Sequence, residues 1–224
     1  EILAPYAKRT GGSLYVTGKF EKAAMLGNTE LVSAGRADIP LARFDADGRP
    51  LWVLRFGGPG EDNLFDIDAD ASGAVATEIF EGTVQFGDHT LVSTGSVDCA
   101  VVAIDPDGRV RWARSFGGPG VDGCNEVTIA SDGSIVTSID TDGGWDLPTG
   151  PVTDTALPET ALSDTVLLRL DSDGELVWGR SVGGAGPQRG KSLAVAPDGS
   201  VVFGGETLGD IDIGGETVTV PGLG

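Results

Sequence analysis

Paired aspartates followed by glycine are the residues of this chain whose types and spacing most resemble a ligand site. The pattern Asp-x-Asp-Gly occurs at 45–48, 105–108 and 171–174. It looks like the opening of a calcium-binding loop, but the further oxygen ligands and the distal glutamate of such a loop are missing. Asp also starts tight turns by bonding nearby backbone, and Gly accepts the left-handed conformation that such turns need. We therefore expect hairpin turns and no cofactor here, with calcium at these turns as the alternative.

A second glycine-rich pattern, Phe-Gly-Gly-Pro-Gly, occurs at 56–60 and 116–120. A phosphate cradle of this kind needs a lysine or a helix N-terminus directly after the glycines. Here the glycines lie between two predicted strands, and neither feature follows them. We expect them to let the chain cross from one strand to the next.

Histidine and cysteine offer few further candidates for catalysis or metal binding. His89 is the only histidine, so a two-histidine metal motif cannot form. Cys99 and Cys124 with one histidine are too few for a zinc cage. Since the two cysteines fall on different predicted strands, strand spacing predicts a separation of about 10 Å or more and hence free thiols. A disulfide is the alternative.

The charge and hydropathy of the chain exclude two classes of partner. The net charge is −19, from 34 acidic and 15 basic residues, and such a field repels phosphate backbones and anionic lipids. No apolar run approaches the roughly 18 residues of a membrane-spanning helix. We therefore expect no nucleic-acid binding and no membrane insertion. The first ten residues, EILAPYAKRT, do not form a leader peptide, so a targeting segment is expected outside this chain.

The elements that must position these residues form a long-period repeat. Trp52, Trp112 and Trp178 recur about 60 residues apart, each within a similar stretch of sequence. Every period contains four short segments of alternating or continuous apolar residues, which we label positions a, b, c and d. The predicted strands are 1–8, 14–20, 39–45 and 50–56; 64–70, 74–80, 99–105 and 110–116; 124–130, 134–140, 164–171 and 175–182; and 192–199 and 200–206.

Four antiparallel strands in each period predict an all-β fold, a β-propeller of four-stranded blades. About three and a half blades are present in one repeat array over 1–224: blade 1 about 1–57, blade 2 about 64–117, blade 3 about 124–183 and half blade 4 about 191–224. We expect the ring to be incomplete in this chain. The remaining blades are expected from a longer parent chain, or alternatively from a second copy that closes a ring of about seven blades.

The second repeat carries a spaced set of residues: Phe80, Gly82, Thr83, Val84, Phe86, Gly87, Thr90, Leu91, Ser93, Gly95, Asp98, Asp105, Asp107, Gly108, Trp112, Arg114, Phe116, Gly117 and Gly118. This set resembles the bacterial β-propeller repeat family often described as seven-bladed. The first repeat fits at Leu26, Gly27, Leu31, Ser33, Gly35 and Asp38 but has Lys22 for a glycine, and the third departs until Asp164. The resemblance implies a secreted, periplasmic or cell-surface propeller and no particular reaction.

In such blades the loops from d to a and from b to c emerge on one face. Binding residues concentrate on loops held by a rigid scaffold, so we expect any binding site on this face. The candidate residues are Glu61, Asp62, Asn63, Asp122, Asn125, Trp145, Asp146, Gln188 and Arg189. Trp145 aligns with Val84 and Ile211, so a core position is the alternative for its side chain.

We expect a non-enzymatic, extracellular or cell-surface module that presents these loops to a protein or carbohydrate. One alternative is a fragment of a propeller enzyme, either a glycoside-processing enzyme or a quinoprotein-like dehydrogenase. Gly108 and Trp112 look like the turn-and-tryptophan pattern of the latter class, in which tryptophans dock neighbouring blades, and we expect a packing role for them. A third possibility is a structural spacer in a longer repeat array.

Overall fold

Alternating apolar and polar residues, broken by Gly and Asp at the turns, make most of this chain extended. The computed structural model describes residues 2–142, 144–147, 150–152, 164–184, 187–213 and 216–219, and the side chains of these except at 2–5, 145–147 and 150–152. No helix that could span a bilayer occurs in this described part of the chain.

The strands fall at the predicted positions, with additional short strands between positions b and c. They are β1 (Ile2–Thr10), β2 (Ser13–Phe20), β3 (Ala23–Leu26), β4 (Thr29–Val32), β5 (Ile39–Phe44), β6 (Pro50–Phe56), β7 (Asn63–Asp70), β8 (Gly73–Phe80), β9 (Thr83–Phe86), β10 (His89–Val92), β11 (Asp98–Ile104), β12 (Val110–Phe116), β13 (Asp122–Ile129), β14 (Ile135–Thr141), β15 (Trp145–Leu147), β16 (Gly150–Val152), β17 (Asp164–Leu170), β18 (Leu176–Gly184), β19 (Gln188–Val195), β20 (Val201–Thr207), β21 (Ile211–Ile213) and β22 (Glu216–Val218).

The same strand order recurs in each repeat. The first two sheets run β1-β2-β5-β6 and β7-β8-β11-β12, and the third runs β13-β14-β17-β18 and continues into β21-β22. β19 and β20 form a two-stranded sheet, and so do the pairs β3-β4, β9-β10 and β15-β16. The recorded strand pairings are antiparallel. The all-β prediction is confirmed, and every predicted strand overlaps an observed one; the strand predicted at 192–199 is β19, which begins earlier, at Gln188, and ends at Val195.

The chain divides into two compact units. The first comprises 1–93 and 100–115, and the second comprises 94–99 and 116–224. The first unit contains the sheet β1-β2-β5-β6 and most of the sheet β7-β8-β11-β12. The second contains the six-stranded sheet, β19 and β20.

A single apolar core joins the two sheets of the first unit. Its members include Tyr15, Ile39, Leu41, Phe56, Ile67, Phe80, Phe86, Ala100, Val102 and Ile104. β11, at position c, is buried along its whole length, which explains why this strand is apolar at nearly every position. The Phe56 and Phe86 rings pack with their centroids 5.3 Å apart.

Trp52 packs against the Asp-x-Asp-Gly turn of the following repeat. Its Nε1 donates a hydrogen bond to the carbonyl oxygen of Pro106 at 2.9 Å, and a Cβ on Gly108 would lie 2.9 Å from the indole ring. Gly108 also has a φ of 87°, so glycine is required here for two reasons. Asp105 Oδ1 accepts two bonds from turn N–H groups, those of Asp107 and Arg109. The hairpin-turn prediction is therefore confirmed, and Trp52 has the expected packing role.

The second unit contains a disulfide between Cys99 and Cys124, whose Cα atoms are 5.0 Å apart. The predicted separation of about 10 Å and the predicted free thiols are therefore wrong. The reason is a parallel β-bridge between Val97 and Val121, in which the N–H of Asp122 donates to the carbonyl oxygen of Val97 at 2.9 Å. This bridge brings two strands of different sheets together at their starts, which strand spacing within one sheet does not describe.

We predict that reducing this disulfide lowers the free energy of unfolding by about 3 kcal/mol, because it closes a loop with a sequence separation of 25 residues. Urea unfolding with and without dithiothreitol measures the difference. The double variant Cys99→Ala/Cys124→Ala should unfold like the reduced chain and should not respond to dithiothreitol. Equal stability of the oxidised and reduced chains would contradict the prediction.

Candidate functional site

Within each unit, the crossings from d to a and the segments from b to c meet at the same end of the strands, and we call this end of a unit its loop edge. In the first unit it comprises 21–38, 57–62 and 81–93, and in the second it includes 94–98 and 117–122. Two backbone bonds join such segments in the first unit, from Arg36 N to Gly60 O at 3.0 Å and from Asp62 N to Ala37 O at 3.1 Å. The antiparallel strand order places these loops together, as the sequence predicted.

The segments from b to c form two-stranded ribbons, which the sequence analysis missed. β9 pairs with β10 so that Val84 lies opposite Leu91, and Val84 is fully buried. Gly87, at the ribbon's turn, has a φ of 56°. The alternation in Thr-Val-Gln-Phe and His-Thr-Leu-Val around Gly-Asp was a signal for such a hairpin.

The glycines of each crossing allow backbones to approach closely. A Cβ on Gly58 would overlap the carbonyl oxygen of Thr83 at the start of the next ribbon, and one on Gly184 would overlap that of Asp210. A Cβ on Gly95 would lie 2.5 Å from the carbonyl oxygens of Gly118 and Gly120. As predicted, Gly58 serves the crossing of the chain, and Gly95 on the neighbouring segment leaves room for the second crossing.

Asp38, which the site prediction did not include, organises the loop before position c. It is fully buried and accepts hydrogen bonds from Ser33 Oγ and Ala34 N, both at 3.0 Å. Arg55 Nη1 forms an ion pair with Asp38 Oδ2. The recurrence of Asp at the same position in Asp98 and Asp164 was the available signal.

Asp62, a predicted binding residue, is buried beneath the first crossing. Its Oδ2 accepts a hydrogen bond from Gly58 N at 2.8 Å. Burial raises its pKa to about 6, the charges of Asp38 and Glu81 add to the rise, and the Gly58 hydrogen bond opposes it. The neighbouring Glu78 is fully buried, and burial raises its pKa well above the usual range, with Asp62 contributing. The Asp62 carboxylate therefore holds the crossing in place and does not face solvent.

Asp122 repeats this arrangement in the second unit. It is fully buried, and it accepts hydrogen bonds from Gly118 N at 2.8 Å and from Thr141 Oγ1. Burial raises its pKa to about 6, with smaller increases from the charges of Asp142 and Asp98. Among the described residues, no group of three or more His, Cys, Asp or Glu is arranged to hold a metal ion.

At the third crossing, Gln188 takes the position of Asp62 and Asp122. It is 3% exposed, and its Nε2 lies 3.5 Å from Thr207 Oγ1. The crossing N–H of Gly184 donates to Asp164 Oδ1 at 3.3 Å. The amide therefore does not perform the task of the two aspartates.

The other predicted residues occupy more accessible positions. Glu61 forms an ion pair with Lys19 at 2.6 Å, and the hydrogen bond and charge of Lys19 lower the pKa of this glutamate. Asn63 and Asn125 are half-buried in β7 and β13, and Arg189 is exposed on β19. Trp145 and Asp146 lie in β15, but their side chains are outside the described residues, so the binding role and the core alternative both stay predictions.

We predict that Gly58→Ala lowers the free energy of unfolding by about 3 kcal/mol, because its methyl group must displace the Thr83 carbonyl. Gly48→Ala is the matched control, since Gly48 has a φ of 77° and nothing within 4 Å of its added Cβ. Backbone strain alone should then cost about 1 kcal/mol. Urea unfolding monitored by tryptophan fluorescence measures both values, and equal losses would contradict the close-approach role.

We predict that the protein loses stability as pH rises from about 4 to 7. The pKa of Asp62 and of Asp122 is about 6 in the fold against an ordinary 3.8. The folded state therefore binds more protons in this range, and their contribution is complete below about pH 4 and lost as pH rises through about 6. Urea unfolding at each pH measures the slope.

The variant Asp62→Asn/Asp122→Asn should show a shallower slope, because an amide oxygen still accepts the crossing N–H but carries no charge. The control Asp47→Asn alters an exposed aspartate of a turn and should keep the wild-type slope. An unchanged slope in the double variant would refute the assignment.

No family model matches the chain, and a search of curated proteins finds no significant match.

Proposed function

We propose that this chain is part of an extracellular or cell-surface β-propeller that binds a protein or carbohydrate through its loop edge and catalyses no reaction. The observation that carries the proposal is the construction of that edge. The backbones of the crossings closely approach the backbones of the ribbons, and buried carboxylates hold the crossings in place. Such a scaffold presents loops rigidly, which lowers the entropy lost on binding.

The recurring strand order supports the propeller part of this proposal. Three sets of strands run a-b-c-d, and β19 and β20 supply positions a and b of a fourth. In the first unit, consecutive sheets share one core and dock through Trp52 on the next turn. Sheets repeated in this way are typical of propeller blades.

Exposed apolar side chains on the ribbons support binding to a partner. Met25 and Val32 on the first ribbon are 59% and 63% exposed, and Val92 on the second is 61% exposed. Val32 and Val92 occupy equivalent positions, the last residue of each ribbon. Apolar side chains presented on rigid loops with charged neighbours suit a partner with both apolar and polar surface.

The Cys99–Cys124 disulfide supports a secreted, periplasmic or cell-surface location. Disulfides persist in oxidising compartments and are rare in a reducing cytosol. Both half-cystines are fully buried, so a structural role fits them better than an exposed redox role. The acidic surface is compatible with this location.

The test selects ligands from a printed oligosaccharide panel and a displayed peptide library, using the disulfide-bonded chain as bait. Binding is then quantified by biolayer interferometry. We predict that Val32→Glu/Val92→Glu lowers the affinity for the selected ligands by about tenfold or more, because charges replace two apolar contacts.

Leu51→Glu is the matched control, since Leu51 is 52% exposed on β6 next to the turn at the opposite end of the sheet. It should leave the affinity unchanged. Ligands that tolerate the ribbon variant but are lost with Leu51→Glu would place the binding surface elsewhere. Turnover of any selected saccharide would refute the non-enzymatic part.

A further inference from the structure

Among the described residues, one edge of β20, its open edge, has no paired strand, unlike its counterparts in the other repeats. Within the described ranges, β20 pairs with β19 alone. β14, the same position in the third repeat, pairs with β13 on one side and β17 on the other. β14 is buried along its length, whereas β20 is half-buried or exposed at every residue.

The register of the third repeat defines what the open edge would pair with. Thr141 pairs with Asp122 in β13 and with Asp164 in β17. Thr207 pairs with Gln188, which is the counterpart of Asp122. The absent partner of Thr207 therefore corresponds to Asp164, an aspartate at the start of a position c strand.

The remaining partners follow by alternation. In the first sheet Phe20 and Asp38 exchange backbone hydrogen bonds of 2.9 and 3.0 Å, and Thr207 is the counterpart of Phe20. Alternate residues of a strand direct their N–H and C=O to the same side. Gly205, Phe203 and Val201 therefore present their backbone groups at the open edge, where β17 supplies Val166, Leu168 and Leu170 to β14.

A cavity of about 130 Å³ adjoins this edge. Its walls come from the third sheet, from β19 and β20 and from the ribbon strand β21, and they include Thr165, Val182, Gln188, Phe203, Ile211 and Ile213. The lining is mainly apolar, and Arg189 and Glu206 also contribute to it. All of these residues belong to the second unit.

The corresponding space in the first unit is filled. Val182, Ile211 and Ile213 correspond to Phe56, Val84 and Phe86, since β18 pairs with β21 as Gly57 bridges to Gln85. Those three residues share one core with Ala100 and Val102 of β11, the strand at position c. The cavity therefore lies where a position c strand delivers its side chains.

Gln188 adds an independent sign of an absent partner. Its side chain is 3% exposed and lines the cavity, and no described donor reaches its Oε1. A buried amide oxygen without a donor is unfavourable by about 1 to 3 kcal/mol. A segment entering the cavity would bring donors to this atom.

We propose that the open edge of β20 binds an extended peptide segment that begins with aspartate and carries apolar residues at alternate positions. Binding is by antiparallel strand addition, with aspartate opposite Thr207 and the apolar residues opposite Gly205, Phe203 and Val201. A folded second copy does not fit, because its own position c strands β5, β11 and β17 are already paired on both sides. The occupant is a strand-forming segment of this pattern whose own edges are unpaired.

The experiment uses a fluorescent peptide with the sequence of 163–171, Ser-Asp-Thr-Val-Leu-Leu-Arg-Leu-Asp, and the intact disulfide-bonded chain. Fluorescence anisotropy should show saturable binding. A peptide N-methylated at the positions of Val166 and Leu168 should bind about tenfold or more weakly, because it loses bonds to β20. A peptide N-methylated at the positions of Leu167 and Arg169 should keep its affinity, because the N–H groups of these residues point to β18 in the fold.

Two variants of the protein test the contribution of β20 to peptide binding. Phe203→Asp places a charge in the cavity and should abolish peptide binding. Val202→Asp alters the adjacent residue, which is 63% exposed and is not in the cavity wall, and should bind normally. Circular dichroism and thiol titration confirm that both variants fold with the disulfide intact.

Three results would overturn the proposal: no saturable binding, equal binding of both methylated peptides, or a wild-type dimer that excludes the peptide and disappears in Phe203→Asp. The outcome is separable from that of the loop-edge proposal. Val32→Glu/Val92→Glu changes ribbons of the first unit and should leave peptide binding intact, whereas the β20 variants do not touch those ribbons.

Discussion

The close approach of two backbones at each crossing is the constraint on which the rest of the loop edge depends. At Gly58 and Gly184 no side chain fits between the crossing and the ribbon that follows. The ribbon is then positioned by contact with main chain, whose geometry does not depend on rotamers. Gly35 allows the same close approach from the preceding segment to the first crossing, and Gly95 does so at the second crossing. A loop built in this way has little freedom to move relative to its sheet.

The buried carboxylates follow from this constraint. A crossing that is covered on both sides has N–H groups that water cannot reach, and an unpaired buried N–H is unfavourable. Asp62 and Asp122 accept these bonds from Gly58 and Gly118. Removing a carboxylate from water opposes its ionisation, which is why both pKa values are raised. At the third crossing this position holds a neutral amide, Gln188, so no charge is buried there.

The strands could be predicted from the sequence, but the interior of the loop edge could not. Alternation and turn residues located every strand at positions a to d, because those strands bury one face or both. The ribbon strands have only three or four residues, too few for alternation to stand out. Asp62 and Asp122 were predicted to meet a partner because they lie in loops. Both side chains are buried because parallel bridges join segments that are distant in sequence, and the sequence does not reveal such bridges.

The same reason explains the error about the cysteines. Spacing within one sheet says nothing about segments that cross between sheets, and the Val97–Val121 bridge is such a contact. In the first unit the equivalent bridge joins Ala37 and Glu61, and buried Ile39 and Leu64 occupy the positions of the two cysteines. The disulfide therefore replaces an apolar contact at a place where the backbone geometry already brings two residues together.

That covalent link has a mechanical consequence. If the chain is pulled from its two ends, the segment between Cys99 and Cys124, which includes β12 and the second crossing, cannot be drawn out. With a sequence separation of 25 residues, roughly 80 Å of contour length stays hidden from the applied force. An oxidised chain under tension at a surface would therefore extend less than a reduced one, and the second crossing would lie outside the path that bears the load.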